Sequence, residues 1–333
     1  MIKHLKEFIK KSNLDGYIIP KNDSYFTEYS KVNNLRKVTK FKGSAGFSLI
    51  LKNSNYLFVD GRYTLQARQE AGRKFRIIEI PFTFPKDLLN IHGKNIGFNP
   101  KLFTENTLKI YFEDKVNLIP IIFNFKNKIE KKVNEIFILN KNVVGENSFS
   151  KLKKIKNYMI KNKIRYLYSS ASENVNWLLN IRGKDLPNSP LVNCKLLIDV
   201  NGKIYLFVNL HKIKNLRNKL FKGINLCEEN NFFKTITNLK SGTFCIDKNT
   251  CSVFEKQILS SKFKIISEID PIYNLKSIKN KTELNNTIQA HIEDGVALTK
   301  FLYWFKFKKQ SVTEKEIENK LEKLRKKSKN YLF

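Results

Sequence analysis

The sequence predicts two tandem α/β domains, each a mixed β-sheet flanked by helices, followed by the opening helices of a third domain that the chain leaves incomplete. Three observations lead there. One ordered set of features (basic amphipathic stretch, apolar strand, polar loop, hairpin) occurs twice. Each set closes on two strand-like runs around a short polar turn. After Asp270 and Pro271 the texture changes to apolar residues at helical spacing.

In the first set HLKEFIKKSNL leads into GYIIP, the loop KNDSYFTEY and the pair GFSLILKNSNYLFVDG. In the second KLKKIKNYMIKNKI leads into RYLYS, the loop SASENVNWLLNIRG and the pair CKLLIDVNGKIYLFVN. The amphipathic stretches should lie as helices across a sheet. Asn201 and Gly202 give the stronger hairpin signal, because glycine accepts the positive φ of a tight turn. GKNIGFNPKLFT reads as a strand and a turn at Asn99 and Pro100, with Thr104 or Asn106 placed to cap a helix. A new helix is approached through ILNKNVVGENS, which sets the domains at 1–140 and 141–276. From Thr282 onward Leu284, Ile288, Ile292, Val296 and Leu298 recur into FLYWF and predict a long helix buried on one face. Thr313 with Glu316 forms a capping box for another helix through Ile317, Leu321 and Leu324. Residues 277–333, ending on Tyr331, Leu332 and Phe333, are therefore expected to be a domain cut short, with Phe301 and Trp304 uncovered.

Composition narrows the function classes. With 333 residues, 41% hydrophobic and 12% aromatic, the chain has the makings of folded domains. No apolar run approaches the roughly 20 residues that span a bilayer. Lys3, Lys6, Glu7, Lys10 and Lys11 break up any signal-peptide core, which points to the cytoplasm. Cys194, Cys227, Cys245 and Cys251 lack CxxC spacing and histidine partners, as expected of ordinary thiols in a reducing compartment. The net charge of +32 invites a nucleic-acid reading, yet the excess runs from Lys3 to Lys329 without clustering. The basic runs Lys151 to Lys163 and Leu324 to Lys329 read as solvated helix faces, so nucleic acid is not the expected partner.

Catalytic motifs are absent from the pattern. His4, His92, His211 and His291 are the four histidines, none in HxxH or HExxH context, so no metal ligand or catalytic residue is assigned. His291 reads as a surface residue of the long helix. No GxSxG, P-loop or GxGxxG occurs, and FKGSAGF reads as a turn in which Gly43 and Gly46 allow close backbone approach. Asp60 and Arg62 in VDGRYTLQA read as a fixed corner, either an ion pair or a helix cap for Arg62 to Glu70. Arg182 and Asp185 flank Gly183 on the loop NWLLNIRGKDLPNSP, a place where a functional contact and a mere turn are equally served.

Taken in order, IIPKNDSYFTEY, FKGSAGF and YLFVDGRYTLQA resemble the first domain of cytosolic Xaa-Pro aminopeptidases of the creatinase/prolidase family. VVGENSFSKLKKIKNYM and NVNWLLNIRGKDLPNSPLV resemble the start of the second domain, with its WLxNxRGxDxPxxP loop. SIKNKTELNNTIQAHIEDGVALTKFLYWF is similar to the helix that opens the catalytic domain. The resemblance runs from about Asp15 to Trp304 and implies two creatinase-type N-terminal domains before a pita-bread catalytic domain. It further implies a homodimer that cuts peptides before a proline in second position, with two divalent metal ions, manganese by preference. The ligands (two Asp, one His, two Glu) would all lie past Phe333, so this chain would bind no metal and be inactive alone. By the same resemblance Arg182 and Asp185 would border the mouth of the active site, while Asp60 and Arg62 hold the hairpin corner. One tract, IIFNFKNKIEKK, departs from the family pattern. The alternative is a non-catalytic binding module of the same fold, with a basic surface for acidic partners or nucleic acid.

Overall fold

A computed structural model describes residues 1–27, 29–30, 32–125, 134–213, 223–308 and 311–332. Helix α1 (Ile2–Lys11) buries Leu5 and Ile9, four residues apart on one face. The chain then runs β1 (Gly16–Pro20), α2 (Asn34–Thr39), β2 (Phe47–Leu51), β3 (Asn55–Asp60), α3 (Thr64–Ala71), β4 (Arg76–Ile80), β5 (Asn95–Phe98), α4 (Glu105–Phe112) and β6 (Asn117–Pro120). Thr104 caps α4 by accepting from Thr107 N. The six strands form one sheet in the order β4-β3-β2-β1-β5-β6.

The second unit follows the same plan. A short strand β7 (Phe137–Ile138) precedes α5 (Lys141–Val144), α6 (Ser148–Lys161), β8 (Tyr166–Ser169), α7 (Ser172–Leu179), β9 (Ile181–Arg182), β10 (Cys194–Asp199) and β11 (Ile204–Val208). Next come β12 (Ile224–Cys227), α8 (Phe232–Thr237), β13 (Thr243–Asp247), α9 (Val253–Ser260), β14 (Lys264–Glu268) and α10 (Pro271–Ser277). Its sheet has the order β12-β11-β10-β8-β13-β14, strand for strand the order of the first. In both, the first strand is antiparallel to the hairpin and parallel to the next strand on its other side. The repeat read from the sequence is thus a repeated topology. Both hairpins are present, with Phe47 opposite Phe58 and Ile198 opposite Ile204, and Gly202 sits at φ +103 in the second turn.

Each sheet is covered on both faces. Leu5, Tyr17, Ile50 and Leu57 lie on one side of the first sheet, and Ile18, Leu49, Phe58 and Phe112 on the other. Ile155, Leu196 and Val175 sit opposite Tyr168, Leu197 and Phe244 across the second. Val253, at the start of α9, is buried in the first unit's core, and its N–H donates to Phe103 O at 2.8 Å. Phe254 N donates to Pro100 O at 3.0 Å beside it, so the seam between units is hydrogen-bonded as well as apolar. Past β6, Ile121 O accepts from the Tyr17 hydroxyl at 2.9 Å, and Phe123 packs on Phe8. The remainder of IIFNFKNKIEKK after Phe125 lies outside the described residues, as does the terminal Phe333.

Two helices complete the chain, α11 (Lys281–Lys306) and α12 (Glu314–Arg325). Each begins with a capping box, Asn280 with Glu283 and Thr313 with Glu316. The expected burial of one α11 face is corrected by the structure: Leu284, Ile288, Ile292, Val296 and Leu298 are 41 to 55% exposed. Helical spacing makes an apolar stripe but does not supply the surface that covers it, and in this chain α11 packs on α5 and α12. Phe301 is also not uncovered; it is 9% exposed, and Trp304 is half-buried beneath the Lys320 ammonium at 5.0 Å. Leu302, Tyr303 and Phe305 at the end of α11, and Phe307 just past it, are exposed as well.

Candidate functional site

The GSAG turn and the DGRY tract, far apart in the chain, meet at one end of the first sheet. Ser44 Oγ lies 2.7 Å from the Tyr63 hydroxyl, and the Tyr63 ring packs edge-on against Phe41. Gly46 has φ +135, and a Cβ there would stand 2.7 Å from Phe58 O, so glycine is required. Asp60 Oδ1 accepts from Arg62 N and Nε at 3.0 and 3.1 Å, and Oδ2 from Nη2 at 2.8 Å. The Arg62 hydrogen bonds pull the Asp60 carboxyl below its usual range. One carboxylate therefore both starts the 3-10 turn Gly61–Tyr63 that leads into α3 and holds a forked ion pair.

Arg182 and Asp185 lie on one loop but do not pair with each other. Asp185 Oδ2 accepts from Lys212 Nζ at 2.6 Å and from Asn193 N at 2.7 Å, both largely shielded from water. Arg182 Nη1 donates to Asn176 O at 3.0 Å and Ile181 O at 2.8 Å. Burial lowers the Arg182 pKa, and the Glu283 charge opposes that shift. Strand β9 pairs antiparallel with β7, setting Phe137 opposite Arg182.

Just before Arg182 in the chain, helix α7 is bolted to α11. Trp177 Nε1 donates to Glu283 Oε1 at 2.9 Å, while Glu283 Oε2 accepts from Asn280 N at 2.9 Å. Asn280 reaches Val144 O at 2.9 Å, and Asn286 reaches Val143 O at 2.9 Å. Gly145, at φ +72, lies where a Cβ would strike Asn280 Oδ1 at 2.4 Å. Beneath this joint Lys151 is fully buried, its ammonium donating to Trp177 O at 2.9 Å and Asn180 Oδ1 at 2.8 Å, 3.9 Å from the Trp177 ring centre. Burial lowers its pKa to about 8, against the raising effect of Glu283 and Glu146. The expectation that Lys151 begins a solvated run is thereby corrected. Lys151, Ile155 and Met159 recur at four-residue spacing with the latter two in the core, so a lysine inside the apolar stripe was the available signal. Glu283 was missed too; its signal was the N-x-x-E capping spacing after Asn280.

The four histidines are exposed. Among the described residues no three or more His, Cys, Asp or Glu side chains converge as a metal site, so these residues do not fit the paired metal ions that the family resemblance implies. The cysteines are free, three buried and Cys227 half-buried, and burial raises Cys245 to about 12. Among the described residues no helix is long and apolar enough to cross a membrane.

Doubled six-stranded sheets joined through a buried seam, handing on to a long capped helix, define a tandem creatinase-type architecture. Family models for the creatinase/prolidase N-terminal domain match residues 1–121 and 127–283, and the chain belongs to the creatinase/prolidase family. It is 30% identical to Xaa-Pro aminopeptidase 1 of Dictyostelium discoideum over 99% of this chain and 58% of that protein. A probable Xaa-Pro aminopeptidase P of Colletotrichum graminicola is 26% identical, over 99% of this chain and 60% of its own length. The crystal structure of X-prolyl aminopeptidase from Caenorhabditis elegans, described as a cytosolic enzyme with a di-nuclear active site, superposes with a TM-score of 0.89 at 20% identity. That match covers 99% of this chain and 60% of the other, and it shows the fold. The chain thus spans about three fifths of the relatives it matches.

Proposed function

We propose that this chain forms the N-terminal, non-catalytic part of a Xaa-Pro aminopeptidase, a metallopeptidase that releases the first residue of peptides with proline in second position. The observation that carries this reading is the end-to-end likeness to such enzymes, in order and across 99% of the chain. In this reading two divalent ions, manganese by preference, belong to the part of the relatives that the chain does not span, and they would supply an activated water there. No step of that chemistry is assigned to residues of this chain. Proline peptides as substrate, homodimerisation and a cytoplasmic setting belong to the same proposal.

The units divide as 1–140, 141–276 and 277–333, with 134–140 acting as a strap whose β7 pairs into the second unit. The Arg182–Asp185 loop borders the approach to the catalytic centre as a rigid wall. The engagement of Asp185 by Lys212, and of Arg182 by backbone carbonyls, supports a shaping role over direct grip on a peptide. Asp60 and Arg62 hold the corner of the first unit. The apolar α11 surface of Leu302, Tyr303, Phe305 and Phe307 is what a catalytic domain would cover.

The test is a Xaa-Pro peptide assay with manganese on residues 1–333, and on a chimera joining residues 1–276 to the catalytic portion of the Dictyostelium relative. The chain alone should show no turnover and the chimera should be active. Turnover by the chain alone, or a folded, metal-loaded chimera without activity, would overturn the reading.

A further inference from the structure

The carboxyl end of α7 gathers two cations. A helix leaves its last carbonyls short of partners and partially negative, which favours lysine and arginine there. Asn176 O accepts from Arg182 Nη1 at 3.0 Å, and the next carbonyl, Trp177 O, accepts from Lys151 Nζ at 2.9 Å. Asn180 ends the helix in the left-handed region at φ +56, and its side chain closes the set: Oδ1 accepts from Lys151 at 2.8 Å while Nδ2 donates to Glu146 O at 2.9 Å. Lys151 is fully buried and both oxygens that it meets are uncharged, so its desolvation is offset only as long as those oxygens stay in place.

The Trp177 ring carries that fixity outward. The Lys151 ammonium lies over it at 3.9 Å, inside the roughly 6 Å at which an indole attracts a cation. The same ring donates from Nε1 to Glu283 Oε1 at 2.9 Å, and Glu283 sits in the first turn of α11. Helix α11 is thus held at its start from two sides, by Asn280 and Asn286 on the carbonyls of α5 and by the α7 indole on Glu283. Within two consecutive residues of α7, Asn176 anchors Arg182 and Trp177 anchors α11.

We propose that Lys151 is a positioning residue: clamped to Trp177 O and Asn180, it fixes the indole that engages Glu283, and so sets how α11 leaves the second unit relative to the Arg182 loop. Its consequence for peptides, that the loop stands at the right distance from the catalytic portion following α11, rests on the peptidase reading. The joint itself does not.

Native-state hydrogen exchange on the 333-residue chain tests the joint. In Lys151→Met the amides of Glu283 and Leu284, which bond to Asn280, should exchange about tenfold faster, the worth of about one lost hydrogen bond, while those beyond Lys300 in the same helix stay unchanged. Trp177→Phe, which keeps a ring and loses the Nε1 donor, should do the same. The double variant should be no faster than the quicker single, because one attachment is lost only once. Lys151→Gln, which keeps a donor in the buried site, replaces the methionine variant if that one does not fold, with the same non-additivity expected. Acceleration confined to the second unit's core, with α11 unchanged, overturns the proposal. So does a double variant about a hundredfold faster than wild type, the product of independent effects.

The peptide arm uses residues 1–333 in place of the matching 58% of the Dictyostelium relative. Lys151→Met in that chimera should raise KM for a Xaa-Pro peptide by about tenfold and leave kcat within about twofold, since a displaced wall weakens peptide binding without touching the metal-held water. An unchanged KM in an active chimera overturns the positioning of the mouth and leaves the peptidase reading standing. A parent chimera without turnover fails that reading, and the exchange result on the chain alone still decides the joint.

Discussion

The corner at Asp60 looks like a strong interaction because its geometry is forked, yet the Arg62 side chain is 73% exposed. Exposed pairs of this kind contribute about 0 to 1 kcal/mol, since water and salt screen them and two side chains must be held still. The backbone beside it is less forgiving. Gly46 combines φ +135 with a carbonyl 2.7 Å from where a Cβ would be. Gly46→Ala should lower unfolding stability by about 2 to 3 kcal/mol, and Arg62→Ala by less than about 1, measured in urea. Lys151 makes a sign-specific prediction. Its folded pKa is depressed to about 8 from 10.5, so between those values the unfolded chain holds more proton than the folded one. Stability should therefore rise with pH from about 8 toward 10.5, relative to a Lys151→Met variant that lacks this slope. A wild-type curve parallel to that of the variant would refute the assignment.

Among elements, the informative joint is α9 against the first unit. Val253 is 6% exposed in a core otherwise built by the first unit, and its backbone bonds to Phe103. A buried unpaired charge there would cost several kcal/mol, far more than the seam's surface contacts return. Val253→Asp should split thermal unfolding into two calorimetric transitions, where wild type should show one. The strands divide by what their neighbours do. Hairpin strands such as Phe47–Leu51 and Ile204–Val208 carry β-branched and aromatic residues around a turn signal, and both were legible. The parallel strands Arg76–Ile80 and Ile224–Cys227 were not, since each is a short edge strand, half-exposed, whose partner lies across a crossover.

For the whole molecule, the α11 surface is the main consequence of how this chain packs. Leu302, Tyr303 and Phe307 are 55 to 69% exposed, Tyr303 and Phe307 with ring centres 4.8 Å apart, and exposed side chains of that size bind apolar dyes or one another. A Leu302→Glu and Phe307→Glu double variant should reduce dye fluorescence and concentration-dependent association without lowering the urea midpoint; unchanged dye binding would place the sticky surface elsewhere.

Periodicity, turn chemistry and capping spacing are local, and they were enough to specify the repeated α/β plan, the cap at Thr313 and the long helix, while the choice of Thr104 over Asn106 as a cap came from the structure. The family likeness, too, was carried by linear motifs. What required the tertiary structure was every pairing across distance: Ser44 with Tyr63, Lys151 with Asn180, Glu283 with Trp177, Lys195 with Glu255. A side chain's charge and spacing say how it is made, but whether it is solvated or buried depends on what the rest of the chain lays over it. That is why Lys151 reads as surface in one dimension and lies at the centre of a joint in three.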